Sequence, residues 1–156
     1  MSKSLARVRA ALQAAGAAAE IVEMPSSTRT AAEAAAAAEC TLDQIAKSII
    51  FRGEGSGRVL LFLTAGGNRV DPVKAASVAG EPLGAADAAL VRAETGFAIG
   101  GVAPLGHLTP PRAFWDPRLS EFELIWAAAG TPRHIFPIPS QRLLQITGAI
   151  PGAFTG

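Results

Sequence analysis

Two apolar runs flanking a short glycine-rich segment constrain the fold more than any other feature of this sequence. The first run is Lys47–Phe51, the second is Arg58–Thr64, and Gly53–Gly57 lies between them. Segments rich in β-branched, aliphatic and aromatic residues and bounded by glycines are typical of paired strands. The sequence therefore predicts a β-hairpin with a loose glycine-rich loop.

Helical segments lie on both sides of this hairpin. Apolar residues at helical spacing predict a first helix over Ser4–Ala15. Two capping boxes, Thr30-Ala-Ala-Glu33 and Thr41-Leu-Asp-Gln44, predict an alanine-rich helix and one short helical turn. Further predicted elements are a strand near Glu20–Met24, a helix from Asp71-Pro72 to Gly80, helices over Ala85–Ala93 and Ser140–Thr147, and strands near Arg112–Trp115, Glu123–Ala128 and His134–Pro137.

Hairpins interspersed with helices predict a mixed α/β (α+β) sheet rather than a doubly wound one. No repeat or interdomain linker is visible, so residues 1–156 are expected to form one domain. The longest uncharged stretch, Thr95–Pro111, contains four glycines and three prolines and does not suit a transmembrane helix. With no signal peptide and a single cysteine, a cytoplasmic location is expected.

Composition excludes several classes of function. The chain is 49% hydrophobic and 17% charged, which excludes intrinsic disorder. A formal net charge of +1 does not suit a nucleic-acid coat protein. One cysteine and two histidines cannot supply the four ligands of a structural zinc site, so no metal site is predicted.

Lys47 is the most informative charged residue. If Ile45–Phe51 is a strand, its period of two places Lys47 on the same face as Ile45, Ile49 and Phe51. A lysine on an apolar face is costly unless it meets water, an anion or a cleft. The alternative is a lysine at the start of the strand that extends to solvent.

The segment Gly100-Gly-Val-Ala-Pro104-Leu-Gly106 is the second unusual feature. Paired glycines allow backbone amides to approach a ligand closely, so this loop could bind a carbonyl oxygen, an oxyanion or a phosphate. The alternative is a plain connection between two elements.

Other reactive side chains carry weaker signals. Cys40 precedes a helix start, but it can equally be a buried filler without a role as a nucleophile. His107 and His134 do not lie in a Ser/His/Asp or HExxH arrangement. Arg69 lies near a turn and can simply be solvated. These residues alone do not predict a reaction.

Five blocks of sequence, in order, resemble one known family. They are Ser27–Ala35, Ile45–Phe51, Asn68–Asp71 with Lys74, Thr95–His107, and Asp116 with Ala129-Gly130. The second block is similar to the strand written "iaKtllf" in the YbaK/EbsC family, and the fourth to its "TGy.iGGvsPfGh" segment. This family comprises free-standing relatives of the editing domain inserted in bacterial prolyl-tRNA synthetases. The resemblance covers about residues 27–148.

The resemblance implies a fold and a set of site residues. The fold is a mixed sheet, partly barrel-like, with helices around it, and neither a metal nor an organic cofactor is implied. The final helix departs from some members, because Gln141 and Arg142 stand where those members carry an acidic residue. The implied catalytic residues are Lys47, Gly100 and Gly101, and the expected substrate-binding residues are Pro104, Thr28, Arg69, Lys74 and His107.

The implied activity is hydrolysis of the ester that joins a wrong amino acid to tRNA. The expected partners are the acceptor end of proline tRNA and prolyl-tRNA synthetase. No membrane partner is expected, and a monomer is expected. The amino acid removed is expected to be Ala, Cys, Ser or 2-aminobutyrate. Two alternatives stay open: a non-catalytic module that binds an aminoacyl or nucleotide end, and a hydrolase of small esters or amides. Because spacing marks no general base, a hydroxyl of the terminal ribose is a candidate for that role.

Overall fold

The computed structural model describes residues 2–156 and arranges helices around one sheet. The helices are α1 (Lys3–Ala14), α2 (Ala31–Ala38), α3 (Pro72–Ala79), α4 (Ala88–Thr95) and α5 (Ser140–Thr147). The strands are β1 (Val22–Glu23), β2 (Ile45–Gly53), β3 (Val59–Ala65), β4 (Leu83–Gly84), β5 (Arg112–Trp115), β6 (Leu124–Thr131), β7 (His134–Pro139) and β8 (Ile150–Pro151). Two 3-10 turns cover Leu42–Gln44 and Pro117–Glu121.

The sheet is mixed, as the sequence predicted. Its strands follow the order β1-β7-β6-β2-β3-β5-β8, with β4 paired to β2 outside this path. β2 pairs antiparallel with β3 and parallel with β6, while β3 pairs parallel with β5. Among the strands of residues 2–156, β1 and β8 end the path without pairing to each other, so the sheet is open rather than a closed barrel.

β3 forms the centre of the core. Every one of its residues is buried, and their side chains alternate between two hydrophobic clusters. Leu61 and Leu63 join the cluster that contains α1, whereas Leu60 and Phe62 join a cluster with Phe114 and α3. Burial on both faces explains why this strand is apolar except for Thr64, instead of alternating with polar residues.

The hairpin and the helix ends agree with the sequence. β2 and β3 pair from Ala46↔Ala65 to Arg52↔Val59 around the glycine-rich loop. Thr30 caps α2 with a complete capping box, and Asp71 caps α3 through the amides of Val73 and Lys74. Local side-chain chemistry therefore determined where these elements begin.

Some boundaries differ from the predictions. The strand expected over Glu20–Met24 is reduced to β1, because only Val22 and Glu23 pair with β7. α4 begins three residues later than expected, because the Asp87 side chain accepts a hydrogen bond from the Leu90 amide as N-cap. β6 extends to Thr131 beyond a bulge, where Gly130 adopts φ +92°. β4, β8 and the 3-10 turn Pro117–Glu121 were not predicted. No helix within residues 2–156 is long and apolar enough to cross a membrane.

Candidate active site

A cavity of about 460 Å³ lies at the point where β2 and β6 separate. These parallel strands pair only at Ile45↔Trp126 and Ala46↔Ala127. Beyond this pairing, β2 has no strand neighbour on that edge until Arg52 pairs with β4. The gap between the two strands forms the cavity. Its lining residues include Thr28, Arg29, Ala34, Ile45, Lys47, Ser48, Gly100, Val102, Trp126, Ala128, Thr131 and Ile135.

Lys47 lies on the edge of β2 that faces this cavity, and its ammonium is anchored at one point. The Nζ donates a 2.6 Å hydrogen bond to the backbone carbonyl of Asn68. The residue is half-buried in the strand. Lys47 shares its face of β2 with Ile49 and Phe51, which pack in the cluster around Phe62. This placement confirms the strand and its alternation.

Some charged groups around Lys47 lower the pKa of its ammonium, and others raise it. Burial lowers the pKa of the Lys47 ammonium, and the Arg69 guanidinium lowers it further. The carboxylates of Asp116 and Asp43 raise this pKa. Desolvation disfavours the charged form of an amine, whereas a nearby carboxylate favours it. Lys47 is thus a partly desolvated cation held between one positive and two negative groups.

A buried carboxylate fixes the turn that receives Lys47. Asp116 is 2% exposed, and its Oδ2 accepts hydrogen bonds from the Ala65 amide at 3.0 Å and from the Asn68 Nδ2 at 2.9 Å. The Gly67 amide donates to the Asp43 Oδ1 at 2.8 Å. Two carboxylates therefore hold the turn that follows β3.

The two glycines of the loop differ in their geometry. Gly100 lines the cavity with φ +88°, and a Cβ added there would meet nothing within 4 Å. The Gly101 amide already donates a 3.0 Å hydrogen bond to the Ala98 carbonyl. A Cβ on Gly101 would have contacts no closer than 3.7 Å, without a left-handed φ. Within the protein itself, a side chain at Gly101 would therefore neither clash nor strain the backbone.

The Gly100 amide remains available to a ligand. Across the described chain, this amide forms no hydrogen bond with another backbone or side-chain group. A glycine with a left-handed φ leaves its backbone open to close approach. Of the two amides expected to contact an oxyanion, only that of Gly100 is unengaged.

Pro104 and His107 lie at a different cavity. It has a volume of about 310 Å³ and is lined by apolar residues such as Leu61, Leu105 and Ala113. The His107 Nε2 lies 2.7 Å from the Ala103 carbonyl oxygen, and burial lowers the pKa of this imidazole. Neither residue lines the cavity of Lys47. The structure thus separates them from Lys47 and Thr28, because the loop turns away after Val102.

The remaining expected substrate-binding residues are Thr28, Arg69 and Lys74, of which the lining of the Lys47 cavity includes Thr28 alone. Thr28 lines the Lys47 cavity, and its amide and hydroxyl both donate to the Pro132 carbonyl, at 2.7 and 3.0 Å. Arg69 is exposed and close enough to influence Lys47. Lys74 is exposed on α3 and donates to the Thr155 carbonyl at 3.1 Å, and it does not line the cavity.

Two polar cavity residues, Ser48 and Thr131, were not identified from the sequence. Ser48 and Thr131 face the cavity because β2 and β6 separate there. The Thr131 hydroxyl lies 2.6 Å from the His134 Nδ1, and Arg29 forms no side-chain hydrogen bond or ion pair within residues 2–156. No local signal could have placed these side chains, because strand separation is a tertiary property.

The remaining candidates for reactive chemistry are the Cys40 thiol and a metal-binding group. Cys40 packs against the cluster of Ala34, Ala35 and Ile45, and burial raises the pKa of its thiol. A raised pKa reduces the thiolate fraction that a nucleophile needs. In the part of the chain that the structure describes, no three His, Cys, Asp or Glu side chains lie together as a metal-binding group.

Comparison with known proteins places the chain in a family. The aminoacyl-tRNA editing domain model matches residues 25–146. The uncharacterized protein YwhH of Bacillus subtilis (strain 168) is 30% identical over 128 residues, which cover 82% of this chain and 81% of YwhH. A crystal structure of a proposed trans-editing enzyme for prolyl-tRNA synthetase is 45% identical, with a TM-score of 0.92 over 100% of this chain and 99% of that one. Hypothetical protein APE2540 is 25% identical with a TM-score of 0.87, over 96% of this chain and 99% of that one. Since the family model spans most of the sequence, this protein belongs to the aminoacyl-tRNA editing domain family, as its five sequence blocks predicted.

Proposed function

We propose that this protein is a trans-editing deacylase that hydrolyses the ester between a wrong amino acid and proline tRNA. The observation that carries the proposal is the Lys47 ammonium, anchored at the edge of an apolar-walled cavity that also includes Gly100. The 45% identical structure described as a proposed trans-editing enzyme for prolyl-tRNA synthetase supports the choice of tRNA. The partner is the acceptor end of that tRNA, with prolyl-tRNA synthetase as a second partner.

Lys47 is assigned to substrate orientation. An ammonium has three N–H groups, and the hydrogen bond to Asn68 uses one of them. The other two can donate to the phosphate or ribose of the terminal nucleotide. Because the group is partly desolvated, such charge-assisted hydrogen bonds are stronger than they would be in water. Lys47 would thereby place the ester at the mouth of the cavity.

Gly100 is assigned to the developing oxyanion. When water attacks the ester carbonyl, negative charge accumulates on the carbonyl oxygen, and a fixed amide donor lowers the energy of that state. Gly100 lines the cavity, and its amide has no partner among the described residues. Gly101 is assigned a supporting role, because its hydrogen bond to Ala98 holds the loop.

The proton of the attacking water requires an acceptor. The lining of the cavity contains no Asp, Glu or His side chain within residues 2–156. The substrate itself supplies a candidate, the free hydroxyl of the terminal ribose next to the ester. This hydroxyl would position the water or relay its proton, and the ester C–O bond would break as the ribose oxygen regains a proton.

The walls of the cavity favour a small side chain. Ala31, Ala34, Ile45, Trp126 and Ile135 present mainly apolar surface. An apolar pocket discriminates poorly between side chains that differ by one methyl group, but it excludes those of the wrong shape. The proposed amino acids are Ala, Cys, Ser and 2-aminobutyrate, and the proline ring would be excluded by shape.

One observation favours a second function. The same lack of an acidic or histidine side chain in the cavity lining is what a non-catalytic module binding an aminoacyl end would show. Such a module would bind charged tRNA without turnover. The two functions therefore differ in a single measurable outcome.

The test is incubation of the protein with proline tRNA carrying labelled Ala, Cys, Ser, 2-aminobutyrate or proline. The deacylase releases label from one or more of the small amino acids and leaves prolyl-tRNA intact. Tight binding without release of any label would contradict deacylation and support the binding module. Hydrolysis of simple amino acid esters at the same rate as charged tRNA would instead indicate a small-ester hydrolase.

A further inference from the structure

The Lys47 ammonium depends on a backbone carbonyl whose position is itself held from outside the cavity. Asn68 contributes its carbonyl oxygen to Lys47 and its side-chain amide to Asp116. The same Asp116 Oδ2 accepts the Ala65 amide at the end of β3, and its Oδ1 accepts the Arg118 amide at 3.0 Å. One buried carboxylate thus joins the end of β3, the following turn and the end of β5.

We propose that Asp116 and Asn68 form a positioning relay that sets the direction of the Lys47 ammonium in the cavity. Neither residue lines the cavity, so both act through Lys47 rather than on the substrate. In this relay, the Asp116 Oδ2 accepts hydrogen bonds from both the Ala65 amide and the Asn68 side-chain amide. Two hydrogen bonds to one carboxylate oxygen restrict the turn more than a single hydrogen bond would. The expected loss of turnover rests on the proposed function. The direction of the Lys47 ammonium does not, and it can be measured without catalysis.

The direction of the ammonium matters because its anchor leaves two N–H groups for the substrate. If the Asn68 carbonyl moves, the Lys47 side chain with its four methylenes regains several rotamers. An ångström of misplacement in a positioning group can cost a large factor in rate. Loss of the relay should therefore weaken turnover even though every cavity-lining side chain is retained.

The first test is a double-mutant cycle with Asn68→Ala and Lys47→Ala. Asn68→Ala keeps the carbonyl but removes the bond to Asp116, and we expect kcat/KM to fall about tenfold in the otherwise unchanged protein. In the Lys47→Ala background the same change should have less than about a twofold effect, because the group it positions is gone. Equal effects in both backgrounds would overturn the relay.

Glu81→Gln provides a matched control on the same hairpin. The Glu81 Oε1 accepts the amides of Gly55 and Ser56 at 3.0 and 2.8 Å, at the opposite end of β2 and β3. This change also weakens a carboxylate anchor of a turn, but far from Lys47. It should leave kcat/KM unchanged. A tenfold fall in this control would show that the hairpin responds to any loosened turn, which would overturn a specific role for Asn68.

The second test needs no catalysis. The chain has three lysines, Lys3, Lys47 and Lys74, so selective ¹³Cε labelling yields three signals whose titration NMR can follow. The charged groups around Lys47 are Asp116 beside the turn, Asp43 of the 3-10 turn, Arg69 after the turn, and Arg29 across the cavity. Asp116→Asn should lower the pKa of Lys47, because it removes a carboxylate that raises it, and Asn68→Ala should shift the Lys47 signal.

The two tests separate the inference from the proposed function. An unchanged Lys47 signal and titration in folded Asn68→Ala protein would overturn the relay, whether or not the protein deacylates tRNA. A changed signal in a protein that releases no amino acid would keep the relay and contradict the deacylase. Asn68→Ala is the primary variant, because it alters a half-buried turn residue, whereas Asp116→Asn alters a buried one.

Discussion

The two cavities that adjoin the Gly96–Pro111 segment show how one loop can serve two different environments. Gly100 lines the Lys47 cavity, whereas Pro104 and His107 line the second cavity. The first contains two cations, Lys47 and Arg29, and an open strand edge. In the second, the lone titratable group of the described lining is an imidazole that faces a backbone carbonyl. Charge and free hydrogen-bonding groups, rather than volume or sequence proximity, distinguish the Lys47 cavity from the second cavity.

The largest expected effect concerns the substrate. Proline tRNA that lacks the free hydroxyl next to the ester should still bind, but its hydrolysis should be slower by about 100-fold or more, as expected for loss of a general base. Single-turnover release of labelled alanine from the two substrates would measure this. Unchanged turnover would reveal a protein base, and the Thr131–His134 pair at the Lys47 cavity would then be examined together with His107.

Lys47→Ala is next in size. It should reduce kcat/KM at least about tenfold, or about 1.4 kcal/mol in transition-state terms, while the protein remains folded. Lys3→Ala is the matched control, because Lys3 is an exposed lysine at the start of α1. Deacylation assays with thermal unfolding curves would report both quantities. Wild-type rates from folded Lys47→Ala would remove Lys47 from the site.

The paired glycines allow a comparison within the loop itself. Gly100→Ala should lower kcat/KM about fivefold, because an alanine at a left-handed φ costs about 1–2 kcal/mol and disturbs the free amide. Gly101→Ala should have little effect, since its Cβ would make only ordinary contacts. The measurement is kcat/KM of both variants beside their melting temperatures. A larger loss for Gly101→Ala would indicate that the space in front of Gly101, rather than the Gly100 amide, is the important feature.

The smallest effect on activity is expected in the second cavity. His107→Gln should change kcat/KM by less than about twofold, because His107 does not line the Lys47 cavity. It should instead alter the pH dependence of stability. Burial lowers the folded-state pKa of His107, so the unfolded chain binds the proton first as the pH falls.

The buried neutral His107 therefore makes the folded protein less stable as the pH falls. The neutral imidazole contributes its full stability above the unfolded pKa of about 6.5, and that contribution is lost as the pH decreases from there through the folded pKa. Urea unfolding of wild type and His107→Gln at several pH values between neutral and acidic would measure it. The difference between their free energies of unfolding should depend on pH in that window. A parallel pair of profiles would contradict a buried neutral His107.

Part of the candidate site could be predicted from the sequence because its signals are local. Lys47 interrupts an apolar strand face, and period-two alternation is a property of a single strand. Gly100 stands in a glycine-rich segment whose backbone freedom does not depend on distant contacts. Pro104 and His107 follow in the same segment, yet the structure directs them to the second cavity, since the path of a loop depends on what it packs against.

The hairpin of β2 and β3, the capped starts of α2 and α3, and the position of Lys47 on a strand all follow from local sequence. Capping bonds and alternation span only a few residues, so local chemistry is sufficient for them. Local sequence does not predict that β6, about 80 residues away along the chain, pairs with β2 for two residues and then separates from it; that depends on tertiary packing. That separation creates the cavity, and the turn held by Asp116 determines where Lys47 is anchored within it. Such pairings depend on long-range packing, because register between distant strands is set by the burial of whole faces and not by neighbours in sequence.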